Sequence, residues 1–179
     1  MHTLYIDMNK DWHGLLKILE IEQIDCNGNL VWRDENLYNV LHTAGEQFIL
    51  SAVFSGGVTN TVIPSNYYFG LDNRTSVSAA DTMGSLSSEP SSNGYGRVAV
   101  SSSGTFSVAL QGSNYRADGP IISFFASGGS WGPVKNLFLT NKSDNSGSLI
   151  ASVALSQTVT LDAGGAINLR MGLSLKDCP

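Results

Sequence analysis

From Ala166 onward, apolar and polar side chains alternate without a break. Ile167, Leu169, Met171, Leu173 and Leu175 fall on one side, and Asn168, Arg170, Gly172, Ser174 and Lys176 on the other. Five consecutive matches to a period of two define a half-buried β-strand over Ala166 to Leu175 and leave no room for a helix. Burying five apolar side chains of this size contributes roughly 8–15 kcal/mol, an upper bound because the unfolded chain already hides part of that surface. A strand of this quality near the end of the sequence requires partner strands upstream, so the search for them organises the rest of the reading.

From Glu89 the chain supplies such partners. After the turn cluster Pro90-Ser91-Ser92-Asn93-Gly94, strand patterns run over Tyr95–Val100, Thr105–Leu110, Ile121–Ala126, Val134–Thr140, Ser148–Leu155 and Gln157–Leu161. Ser103-Gly104, Asp118-Gly119-Pro120, Gly128-Gly129, Asp144-Asn145-Ser146-Gly147 and Gly164-Gly165 carry turn chemistry between them. Connections this short exclude crossover helices, so the pairing is expected to be antiparallel. The expected fold is mainly β, an antiparallel β-sandwich of jelly-roll or Greek-key type.

Upstream, Leu15 to Ile24 is strand-like, with Leu19 and Ile21 on one side and Glu20 and Glu22 on the other. Asn27-Gly28 supplies a tight turn, and Asn29 to Arg33 returns to complete an N-terminal hairpin. Thr43-Ala44-Gly45-Glu46 has the form of a capping box, which predicts one short helix with Phe48, Ile49, Ala52 and Val53 on its apolar face and a stop at Gly56-Gly57. The aromatic run Asn66 to Leu71 reads as a further strand, and Ser78-Ala79-Ala80-Asp81 as a single helical turn ending near Gly84. The 179 residues suit one compact domain, with an N-terminal arm and hairpin over 1–42 and a sandwich with a capping helix over 43–179.

Composition narrows function by exclusion. Charged residues make up 14% of the chain, against about 25% in ordinary soluble domains, and Ser, Thr, Gly and Asn take the outward positions. Such a surface suits a protein covered by neighbours. With a net charge of −5 and ten scattered Lys and Arg, there is no basic face for a phosphate backbone, so no nucleic-acid partner is expected. No apolar run is long enough to span a membrane, and Met1 to Asp7 lacks the features of a signal peptide, which leads to the expectation of a cytoplasmic product that is not exported. Cys26 and Cys178 read as free thiols rather than a disulfide framework.

Candidate chemistry fails on inspection. Gly128-Gly129-Ser130-Trp131-Gly132 matches a nucleophile elbow, but Pro133 and a strand follow where a helix is required, and His2, His13 and His42 all lie upstream. The histidines and cysteines lack metal-ligand spacing, and the polar loop Asn141 to Gly147 lacks the acidic ligands of a calcium loop. No catalytic residue, cofactor or metal is therefore expected. Tyr67, Tyr68, Tyr95, Tyr115 and Trp131 could stack on a sugar, though aromatics in such positions more often cap a sandwich. Residues 1–14 are aperiodic. Leu4, Tyr5, Ile6 and Trp12 are read as partner-binding anchors on an arm that needs another surface to order it.

Several of these segments, taken in order, resemble a family of tailed-bacteriophage virion structural proteins. They are Gly45-Glu46-Gln47, Asn66 to Asn73, Leu86, Glu89 to Arg97, Trp131 to Leu139, Asp144 to Ala151, and Leu161-Asp162-Ala163-Gly164-Gly165 with the terminal strand. The likeness covers about Thr43 to Leu175. It implies a non-enzymatic virion component, of capsid or tail, with the major capsid protein or other virion proteins as partners and self-association as a trimer or another homo-oligomer. The low charge and the unpatterned arm favour a capsid cement, or decoration, protein that stabilises contacts between major capsid subunits. The alternative is a tail, neck or fibre component that binds a glycan or receptor.

Overall fold

The structure, a computed structural model, describes residues 12–54, 63–112 and 114–177. Ten strands and one helix follow in the order β1 (Trp12–Ile24), β2 (Leu30–Tyr38), β3 (Val40–Leu41), α1 (Thr43–Phe54), β4 (Asn66–Asp72), β5 (Val98–Ser101), β6 (Ser107–Gln111), β7 (Asn114–Phe125), β8 (Trp131–Thr140), β9 (Leu149–Leu161) and β10 (Ala166–Asp177). They form two five-stranded antiparallel sheets, ordered β2-β1-β10-β7-β6 and β3-β9-β8-β4-β5. The expected sandwich, N-terminal hairpin and single short helix are all present.

The terminal strand lies at the centre of the first sheet, between β1 and β7. Ile167, Leu169 and Met171 are buried as the alternation requires, facing Phe69, Leu71, Leu137 and Val153 in a shared core. Leu173, which lines the same inter-sheet cavity as Met171, is more than a third exposed, and the register against β7 shifts between Arg170 and Gly172. The residues opposite that shift are Gly119 and Pro120. Asp118-Gly119-Pro120, expected as a turn, instead lies inside β7 as an irregularity that bends a twelve-residue strand.

Strand β1 shows the same effect. It starts at Trp12, three residues before the expected start at Leu15, so residues 12–14 belong to the hairpin and not to the arm. Leu19 is the extra residue of a bulge against β10, and among the described side chains of β1 Ile18 and Ile21 are fully buried. A strict period of two had placed Leu19 inward with Ile21. The hairpin turn is held by Asp25, whose Oδ1 accepts from the amides of Asn27 and Asn29 at 2.9 and 2.8 Å, while Gly28 takes a φ of +83°.

Helix α1 begins where expected but is tied differently. The Thr43 hydroxyl donates to the Ala79 carbonyl at 3.4 Å, and the Glu46 amide donates to the His42 carbonyl at 2.9 Å. Gly45 permits the helix to lie directly on β9, since a Cβ there would sit 2.2 Å from the Ile150 carbonyl oxygen. Phe48 is buried and Ile49 half-buried, whereas Val53, expected on the same face, is exposed. The helical turn expected from Ser78 forms later, as a 3₁₀ turn over Met83–Ser85. Ser148–Leu155 and Gln157–Leu161 form one strand rather than two; the register against β8 slips between Ala154 and Val159, and the break is absorbed as a bulge.

Candidate interaction surfaces

The residues best placed for chemistry are buried. His42 is fully buried at the entry to α1. Its Nδ1 lies 2.8 Å from the Ser78 carbonyl, which can only accept, so Nδ1 carries the proton and Nε2 accepts from the Ser152 hydroxyl at 2.8 Å. Arg74 Nη2 donates to the same Ser152 oxygen at 2.7 Å, Nε to Asp72 at 2.6 Å and Nη1 to Asp81 at 2.9 Å. Asn136 Nδ2 donates to the Arg74 carbonyl at 2.8 Å. Burial pushes the His42 imidazole below its ordinary 6.5, with the Arg74 charge adding to it and the Ser78 bond opposing. Burial likewise raises the Asp72 carboxyl above 3.8, against the pull of Arg74.

This serine–histidine pair has no route to a substrate, because Ser152, His42 and Asp72 are all closed to solvent. The network joins β4, β8, β9 and the loop before α1, and its role is to hold them together. Sequence reasoning missed it. Its members lie on separate elements with no common spacing.

A second knot explains the segment Glu89 to Arg97. The Glu89 carboxylate takes Arg97 in a two-point grip, at 2.8 Å from Nε and 2.7 Å from Nη2. The Tyr95 hydroxyl donates to Glu89 Oε1 at 3.0 Å and accepts from the Leu71 amide at 2.7 Å. Desolvation, with Glu89 beside it, drives the Tyr95 hydroxyl well above its ordinary pKa, so it stays protonated and can donate. The Tyr95 ring stacks on Phe124 at 6.0 Å and meets Trp131 edge-on at 5.4 Å, and the Arg97 guanidinium lies 5.1 Å over the Phe138 ring. The segments that carry the phage resemblance are thus fixed points of the fold.

The other expected sites are dispersed. Leu4, Tyr5 and Ile6 lie outside the described residues, as do His2 and Cys178, and Trp12 is the first residue of β1, opposite Asp177. Ser130 donates to Asp162 at 3.3 Å and is followed directly by strand β8. Of the five loop aromatics, Trp131 is buried, Tyr67, Tyr68 and Tyr95 are half-buried, and Tyr115 alone is largely exposed, so they form no shared sugar-stacking platform. Cys26 is a free, exposed thiol. Among the described residues no His, Cys, Asp or Glu cluster could hold a metal ion, and no helix is long and apolar enough to cross a membrane.

Several large apolar side chains are also exposed. Leu50 and Val53 on α1, Val108 and Leu110 on β6, and Tyr115, Ile121 and Phe125 on β7 are each more than half exposed. An apolar cavity of about 160 Å³ opens between the sheets beside α1, lined by Phe48, Phe69, Phe106, Ala117, Met171 and Leu173 among others. The exposed ones on α1, β6 and β7 are the large apolar side chains that a partner surface could cover.

The class is a structural component of a phage particle. Residues 41–174 match the family described as Podophage GP4 fiber I protein gp80, and the chain belongs to that family of non-enzymatic fibre proteins. The match runs from the end of β3 into β10 and leaves the whole N-terminal hairpin outside it. A comparison with curated proteins gives no match. The chain is therefore a virion component, and the expectation of a capsid cement protein gives way to its alternative, a fibre component.

Proposed function

We propose that the chain is a building block of the tail fibre, joining neighbouring fibre subunits by contact alone. The observation that carries this reading is the family match over residues 41–174, which spans α1 and most of the sandwich. The exposed side chains on α1, β6 and β7 supply surfaces for such contacts. At about 1.5–3 kcal/mol for each large apolar side chain fully covered, a few of them offset the cost of association.

In this reading the subunits self-associate, and the N-terminal arm with Leu4, Tyr5 and Ile6, together with Trp12 at the start of β1, anchors the fibre to an adjoining virion protein. The arm's place outside the family match supports that division, because an attachment segment has to fit the particle rather than the fibre. Quantitative mass spectrometry of purified particles tests the placement. A fibre component is present in a small number of copies per particle, whereas hundreds of copies, in proportion to the major capsid protein, would return the chain to the capsid.

A further inference from the structure

Among the described residues each sheet has two open edges, formed by β2 and β6 in the first and by β3 and β5 in the second. Open edges present unpaired amides and carbonyls, and proteins that avoid edge pairing shorten such strands or load them with charge. Three of the four edges are protected in this way. Strand β2 carries Arg33, Asp34 and Glu35, with Arg33 ion-paired to Glu20 and Glu35; β3 has two residues and β5 four. Strand β6 reads Ser107-Val108-Ala109-Leu110-Gln111, with no charge and no proline.

The face that β6 presents is also unfinished. Val108 pairs with Ala117 and Leu110 with Tyr115, and Ala117 pairs in turn with Leu173. These five side chains share the face turned towards the second sheet, since Ala117 and Leu173 line the inter-sheet cavity. Yet Val108, Leu110 and Tyr115 are 67, 57 and 68% exposed. A core-facing apolar strip therefore continues past the edge of the core.

We infer that β6 pairs antiparallel with β6 of a second copy about a two-fold axis at Ala109, which joins the two first sheets into one and sets the two apolar strips side by side. This names a surface for the self-association proposed above and rests on that reading. The strand is complementary to itself in this register. Val108 faces Leu110 of the second copy on the core side, while on the outer side Ala109 meets Ala109 and Ser107 meets Gln111. No charge is buried and no large side chain collides.

The backbone agrees. Gln111 and Asn114 flank a two-residue connection, and in such a hairpin the flanking residues form the hydrogen-bonded pair. Hydrogen-bonded pairs alternate along a ladder, so Ser107, Ala109 and Gln111 spend their backbone groups on β7, and Val108 and Leu110 turn theirs to the open edge. Those are the residues the two-fold sets opposite each other. No other open edge among the described residues offers an uncharged partner of this length.

The test uses the isolated full-length chain in solution, so its failure is distinct from any failure of the fibre placement, which is read on particles. Analytical ultracentrifugation should show a dimer, and the double variant Val108→Lys, Leu110→Lys should weaken it by roughly tenfold or more, since it sets like charges opposite each other. Its circular dichroism should be unchanged, as both side chains already face solvent. With Cys26 and Cys178 replaced by Ser, Ala109→Cys should cross-link between copies on oxidation and Ser107→Cys should not. A wild-type monomer, an assembly that survives the double lysine variant, or equal cross-linking at both positions would overturn the inference.

Discussion

The Ser152 hydroxyl donates to Nε2 of His42 at 2.8 Å while its oxygen accepts from Arg74 at 2.7 Å, so the imidazole is locked in its neutral form inside the core. Protonating Nε2 would turn an acceptor into a donor facing a hydroxyl already committed to it, beside a buried guanidinium.

The pH dependence of stability follows from this. Folding lowers the His42 pKa below 6.5, so as pH falls the unfolded chain takes up the proton first. The contribution of His42 is complete above about 6.5, declines as pH drops below that value and levels off once the folded imidazole titrates. The difference in unfolding free energy between wild type and His42→Gln should therefore shrink between about pH 7.5 and about pH 5.5. A difference independent of pH over that range would show that His42 is not held neutral.

Arg74 is the cation that makes the Asp72 carboxylate tolerable in the interior. Arg74→Met should cost about 3–5 kcal/mol, because it strands a buried charge rather than merely removing a contact. Replacing Asp72 by Asn in the same chain should recover part of the loss. Urea unfolding midpoints measure both, and a neutral single variant would mean that the network is not a structural tie.

Leu169 and Met171 on the central strand are each 2% exposed. Substituting either by Ala should cost about 2–5 kcal/mol, as a cavity replaces packed side chains in a core that closes only in part. Unchanged unfolding midpoints in both variants would place β10 outside the core.

Gly45 offers a test of sign. In an ordinary helix interior Gly→Ala stabilises by about 0.8–1 kcal/mol. Here the new Cβ would lie 2.2 Å from the Ile150 carbonyl oxygen, so Gly45→Ala should instead destabilise by about 1–3 kcal/mol. Gly96, with nothing within 4 Å of an added Cβ, is the control and should tolerate the same change. Thermal unfolding of the two variants side by side gives the comparison.

The sequence was most legible where local rules act alone. The alternation in β10, the Asn27-Gly28 hairpin and the start of α1 are set by neighbours within a few residues, and each formed at its expected place. Periodicity failed at bulges. One extra residue at Leu19 reverses which side chains face inward, and the Gly119-Pro120 irregularity resembles a turn until the strands on either side are seen to continue. The His42, Arg74 and Ser152 network was beyond reach, because only the sandwich brings those elements together. The unfinished edge at β6 was hidden for a related reason. Val108 and Leu110 alternate like core residues, and only the folded chain shows them largely exposed.

The fibre assignment is tested most directly by where the protein sits on the particle. Intact virions should be labelled with gold-conjugated antibodies raised against the isolated chain and imaged by electron microscopy. Gold confined to the tail appendages, with bare capsid faces, is the predicted result; gold spread over the capsid surface would contradict it.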